Sequence, residues 1–317
     1  MLNGAVATDD KTCSRIGLDV LREGGNAADA SIAAALCLGV TNPASSGLGG
    51  GAFILVHSDA SIAREADRRR SRRSLSTDDG NDDDDDDDDV PFVDERVRRD
   101  DDINIDDGEG GGRWGRKVAE FIDCRETAPQ NTSPETLNSF LQSPESSTIG
   151  GMSIAVPGEL RGLELLHRRH GSMPWSRLVR PAYELARDGV VVGRYLASAI
   201  ERNRMHLRTM PELGKTLTRD GDGTTPLEEG DVMVRARYAE TLRSIMEGGS
   251  NALYRGELGE SLARVSGGGV VRHDFISYCT FALVHLSRLF PHTDRLIFQC
   301  NTKRISSTLV GSSRRKI

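Results

Sequence analysis

Apolar residues at Cys13, Ile16, Gly17, Val20 and Leu21 recur with helical spacing, and Gly24-Gly25 supplies a left-handed stop, so a short amphipathic helix is predicted there. Asn26 can cap a second helix over residues 27–38. That helix is apolar on nearly every side, which predicts burial between layers, and Gly39 and Pro43 end it. A polar, glycine-rich turn fills 42–51. Residues 52–57 then form a continuous apolar run that reads as a strand, and 118–125 read as the next one. A short strand is predicted over 153–156, ending at Pro157-Gly158, followed by a helix over 159–168. Pro174 opens the clearest amphipathic helix, with Trp175, Leu178, Val179, Ala182, Leu185 and Ala186 on one face and Asp188-Gly189 closing it. Further helices are predicted over 194–207, 236–247 and 257–265. Strands and helices are mixed, with helices in the majority.

Charge changes this picture. The 317 residues carry a net charge of −7, but 64–112 alone holds 20 acidic and 9 basic residues, a net of −11, leaving +4 for the rest. That stretch includes eight consecutive aspartates, 82–89, together with Arg68-Arg69-Arg70. Like charges at this density repel and bury no apolar surface, so 64–112 is predicted to be a disordered insertion at the tip of a hairpin between two core strands. The segment 280–317 has seven basic residues against one acidic and no clear period, and is predicted to stand apart from the domain. A hydrophobic content of 37% is enough for a real core, which excludes a wholly disordered chain. The longest clean apolar run, 32–40, is far short of the roughly 18 residues a bilayer span needs, and the first ten residues lack a secretory leader pattern.

The candidate chemistry is sparse. Five cysteines (Cys13, Cys37, Cys124, Cys279, Cys300) are odd in number, scattered and without a CxxC pair, so neither a disulfide framework nor a zinc site is expected. The glycines of 46–51 follow a helix and open a strand, the reverse of a dinucleotide or phosphate loop, and are expected to serve close backbone approach. His167 and His170 lack a third ligand and are read as a solvated helix face. The aspartate run lacks the spacing of a calcium loop. No metal, cofactor or nucleic-acid partner is expected. Asp123-Cys124-Arg125-Glu126-Thr127-Ala128-Pro129 differs, because it places charged residues at the exit of an apolar strand. An arginine there can grip a carboxylate through two parallel N–H bonds, or it can pair structurally with Asp123 or Glu126.

Six segments in order resemble the heavy-subunit part of the gamma-glutamyltransferase (gamma-glutamyltranspeptidase, glutathione hydrolase) family. They are Gly4-Ala5-Val6-Ala7-Thr8-Asp9, Gly24-Gly25-Asn26-Ala27-Ala28-Asp29-Ala30, residues 42–51, residues 123–129, residues 150–158 and residues 174–189. The likeness covers 1–63 and 113–279 as one heavy-subunit-like domain. It implies an α+β chain forming part of a four-layer αββα fold of the N-terminal-nucleophile hydrolase type, with the light-subunit half missing. It also implies a precursor that cleaves itself into two subunits. The new N-terminal threonine attacks the gamma-glutamyl carbonyl of glutathione and other gamma-glutamyl compounds, using its own α-amine as base, and water or an amino acid or dipeptide acceptor then takes the acyl group. By position, Arg125 matches the family arginine that binds the α-carboxylate. The extracellular face of the plasma membrane or the secretory pathway is the compartment the resemblance suggests.

The same resemblance sets an expectation of departure. The nucleophilic threonine belongs beyond Gly268-Gly269-Val270-Val271-Arg272-His273-Asp274-Phe275-Ile276-Ser277-Tyr278, and no Thr-Thr-His occurs: Thr224-Thr225 is followed by Pro226. No catalytic nucleophile is therefore assigned within the 317 residues. The chain alone is expected to be inactive, with 280–317 as non-family sequence from a truncated gene model. The alternative is a non-catalytic short isoform acting as a binding module.

Overall fold

The computed structural model describes residues 4–59, 117–129, 132–143, 149–266, 281–284 and 297–299. The acidic insertion 64–112, the 268–278 segment and all of 280–317 but two short strands lie outside the described residues.

Helix α1 (Lys11–Arg22) starts at Asp10, whose carboxylate accepts the N–H groups of Thr12 at 2.7 Å and Cys13 at 3.1 Å. Helix α2 (Ala27–Thr41) runs three residues beyond its expected end and is buried on all sides, as its composition predicts. The two helices pack together, and Cys13 and Cys37 form a disulfide across them. This corrects the expectation that the cysteines are unbridged. The pairing arises from helix packing, which brings together residues 24 apart in sequence, and no local spacing encodes it.

Strands β1 (Ala52–Asp59) and β2 (Lys117–Cys124) pair antiparallel with Ala52 opposite Cys124 and Asp59 opposite Lys117. Strand β5 (Phe281–Val284) adds to β2 and strand β6 (Ile297–Gln299) to β1, giving the order β5-β2-β1-β6, antiparallel throughout. Alternation sends Ala52, Ile54 and Val56 to one face with Ile122 and Cys124, all buried. Phe53, Leu55 and Phe121 point the other way; Phe53 stays 41% exposed and stacks on Phe121 at 5.6 Å.

Helix α3 (Pro134–Gln142), absent from the sequence reading, precedes a 3₁₀ turn at Gly151–Ser153. The strand expected over 153–156 is reduced to one bridge, Thr127 with Val156, because Gly150 at φ +99° and the bond from Ile154 N–H to Gly151 C=O curl the backbone. Helix α4 (Glu159–His170) packs on both β1 and β2 and on α2. Its buried Leu160, Leu163 and Leu166 each contribute on the order of 2 kcal/mol. Gly162 permits the close approach: a Cβ there would stand 2.2 Å from Cys124 Sγ.

Helix α5 (Trp175–Asp188) packs on α2 and on α9 (Ala236–Gly248). Between them lie β3 (Val190–Val191) and β4 (Val232–Met233), which pair antiparallel, and helices α6 (Arg194–Arg202), α7 (Arg204–Thr209) and α8 (Pro211–Leu217). The single helix expected over 194–207 is broken at Asn203, whose side-chain amide bonds Ala199 C=O at 2.8 Å while its N–H turns back to Ile200. Helices α10 (Asn251–Tyr254) and α11 (Glu257–Val265) follow.

His167 and His170 do not form a solvated face. His167 Nε2 lies 2.7 Å from Met173 O, and its ring meets Trp175 edge-on. His170 Nε2 lies 2.8 Å from Glu120, which Arg169 also engages, so the pair ties the end of α4 to β2. Helical periodicity placed these side chains on the helix but not the strand that faces them.

Candidate functional site

Three stretches that are distant in sequence converge where β2 ends. Gly51 lies against the backbone of Cys124, Arg125 and Glu126; a Cβ there would come within 2.5 Å of Cys124 O and 2.8 Å of Glu126 N, so only glycine fits. Thr127 and Val156 exchange backbone hydrogen bonds at 3.2 and 2.9 Å, which sets 123–129 beside the Val156-Pro157-Gly158 turn. The first free N–H groups of α4, from Gly158 and Glu159, donate to Gly50 C=O at 2.9 and 3.0 Å. The glycine-rich loop is therefore clamped between the exit of β2 and the start of α4, as a structural turn.

Arg125 sits at this junction. Its backbone N–H donates to Asp123 Oδ1 at 3.0 Å, its guanidinium pairs with Glu126 at 3.0 Å, and the guanidinium carbon stands 5.7 Å from the Phe53 ring centroid. Ring and carboxylate together aim the fork. The side chain keeps 28% of its surface exposed, at the edge of the sheet face that bears Phe53 and Phe121. Both partners considered from the sequence are present, Asp123 on the backbone and Glu126 on the side chain.

In the sequence Glu159 marks only the start of a predicted helix. The structure places it 2% exposed beneath the glycine loop. Burial raises its carboxyl to a pKa of about 8; the Gly47 backbone N–H opposes the rise and the nearby charge of Glu126 adds to it. Tyr238 of α9 is partly buried, its hydroxyl under the same loop. Its pKa is pushed up to about 12, first by burial, with Glu159 adding and Arg235 and the Leu48 N–H opposing. Arg235 stacks on the Tyr238 ring at 4.0 Å and donates to Gly39 C=O at 2.6 Å. No sequence signal separates a buried acid in the first turn of a helix from an exposed one, since both suit the helix dipole.

Among the described residues no group of three His, Cys, Asp or Glu side chains could hold a metal ion, and no helix is long and apolar enough to cross a membrane.

The gamma-glutamyltranspeptidase family model matches residues 13–72 and 114–288. The chain is 33% identical over 277 residues to Scoloptoxin SSD14 of Scolopendra dehaani, covering 86% of this chain and 38% of that protein. It is 33% identical over 279 residues to Glutathione hydrolase 3 of Arabidopsis thaliana, covering 87% of this chain and 34% of that one. It thus spans little more than a third of these relatives' length. Among solved structures, the Helicobacter pylori gamma-glutamyltranspeptidase superposes with a TM-score of 0.66 at 24% identity, over 89% of this chain and 66% of that one.

Proposed function

Since this chain belongs to the gamma-glutamyltranspeptidase family, we propose that it supplies the carboxylate-binding part of a gamma-glutamyl transferase or hydrolase acting on glutathione and related compounds. Arg125 is the residue that grips the α-carboxylate of the gamma-glutamyl group. The observation that carries this reading is the placement of its guanidinium, held by Phe53 and Glu126 at the mouth of the junction and still partly exposed. A guanidinium has five N–H donors, so a bond to Glu126 does not exhaust it, and two parallel donors match a carboxylate.

In this reading a threonine from a light-subunit portion attacks the gamma-glutamyl carbonyl carbon. Its hydroxyl proton passes to its own amine, the leaving amine departs protonated, and water or an amino acid or dipeptide acceptor releases the acyl group. The sheet face bearing Phe53, Leu55 and Phe121 packs against that portion, completing a four-layer αββα arrangement; Phe53, exposed and stacked on the partly buried Phe121, supports such a partner. The 317 residues alone then turn over no gamma-glutamyl substrate.

The test is Arg125→Ala in the two-subunit enzyme. Loss of a charged, hydrogen-bonded contact of about 2 to 4 kcal/mol raises KM on the order of 30- to 1,000-fold. An unchanged KM contradicts the assignment. Turnover of a gamma-glutamyl anilide by the purified 317-residue chain contradicts the need for the second subunit.

A further inference from the structure

Two carboxyl groups border the space beside Gly50. From the point where a Cβ on Gly50 would stand, Glu126 Oε1 is 3.5 Å away and Glu159 Oε2 is 4.0 Å away. Glu126 is the ion-pair partner of Arg125; Glu159 is buried, holds the N–H of Gly47, and begins the helix whose first two N–H groups hold Gly50. The charged and titratable groups facing Glu159 are Glu126 with its partner Arg125 on the β2 exit, and Tyr238 with Arg235 stacked on it at the start of α9.

We propose that Glu159 is a positioning residue for the carboxylate site: its carboxyl stands with that of Glu126 around Gly50, so any charge it carries adds to those that Glu126 and Asp123 already place about Arg125. The inference rests on the assignment of Arg125 made above. The physical case is one of charge balance. Arg125 must attract an anionic α-carboxylate while already paired with Glu126, and each further negative charge behind the glycine loop reduces the net field at the guanidinium. An ionised Glu159 also repels Glu126, disturbing the pair that aims the fork. Burial keeps Glu159 neutral at and below neutral pH, so only Asp123 and Glu126 bear negative charge beside Arg125 there, and the site loses affinity for anions as pH rises through about 8.

The experiment is calorimetric titration of S-methylglutathione, which has no titrating thiol, into the full chain across that pH range. Wild type, Glu159→Gln and Arg125→Ala are compared. The ligand's own amine titrates equally in each, so the difference between chains isolates Glu159. The wild type is expected to lose about fivefold or more in affinity across the midpoint, the lower end of ordinary coupling between two linked groups, while Glu159→Gln stays flat after the common ligand term is removed. If Glu159→Gln loses affinity as steeply as the wild type, the positioning role is wrong. If Arg125→Ala binds as the wild type does, or the wild type does not bind, the Arg125 assignment falls and this inference with it. A second measurement needs no variant: infrared titration of the neutral carboxyl band in the wild type. By linkage, bound ligand must move the midpoint of its loss upward. A midpoint unmoved by saturating ligand overturns the role even if Glu159→Gln does not fold.

Discussion

Asp29 joins the start of α2 to the connection between α4 and α5, and its replacement tests whether that joint holds the helical layer together. The residue is fully buried. Its carboxylate accepts the Asn26 N–H at 3.0 Å, the Ser172 N–H at 3.1 Å and the Ser172 hydroxyl at 2.6 Å, with the Met173 N–H at 3.4 Å. Asn26 in turn accepts the N–H groups of Ala28 and Asp29 and donates to His170 C=O at 2.6 Å, so one capping box fastens α2 to the end of α4. Hydrogen bonds to a charged group contribute about 1.5 to 3 kcal/mol each, and a lost cap about 1 kcal/mol, but the bonds share one acceptor and do not add. Asp29→Ala should therefore cost on the order of 4 kcal/mol, since it leaves buried N–H groups with no acceptor. Asp29→Asn, which keeps one oxygen but not the charge, should cost about half as much. The assay is urea unfolding followed by far-UV circular dichroism, with Ser172→Ala and the double variant completing a cycle. A coupling of about 1 to 2 kcal/mol between Asp29 and Ser172 is expected. A loss below about 1 kcal/mol for Asp29→Ala, or no coupling in the cycle, refutes the claim that this carboxylate holds the joint.

The remaining predictions follow from a buried acid and a crosslink. Because the folded chain holds a proton on Glu159 that the unfolded chain has released above the usual 4.5, stability falls as pH rises from about 4.5 to about 8. At pH 7 this penalty is at most about 3 kcal/mol, and Glu159→Gln should remove that slope; equal slopes in parallel unfolding titrations of the two chains speak against it. Replacing Cys13 and Cys37 together with alanine opens a bridge spanning 24 residues and should cost about 3 to 4 kcal/mol from the freed unfolded chain. Peptide mapping without reductant should recover the two cysteines joined, and finding both as free thiols removes the premise. Arg125→Ala and the pH dependence of ligand binding, set out above with their refuting results, address the site itself.

Local order was largely legible in advance. The helical face of Trp175, Leu178, Val179 and Ala182, the all-apolar run of α2 and the two hairpin strands are written in side-chain periodicity, because burial of one face is what makes each element stable. Arg125 was also visible, since a charged cluster at the exit of an apolar strand has few reasons to be there. Other features were not. The break at Asn203 depends on a side chain competing with the helix backbone, and α3 has too short a pattern to stand out from a polar stretch. The Cys13–Cys37 bridge, the Glu120 pairing with Arg169 and His170, and the burial of Glu159 all join residues whose neighbours in space are far away in sequence.

The amino-acid order alone therefore determined which segments are helix or strand, where the charge is concentrated, and that an arginine stands at a strand end. Those properties follow from each residue's preference for water, apolar surroundings or a given backbone angle. Only the tertiary structure decided what that arginine faces. Seating α4 against β2 through Gly162 and Cys124 put Glu159 under the glycine loop and Glu126 beside it. The resulting shift in a carboxyl's charge is a property of distance and burial, which no single residue carries in the sequence.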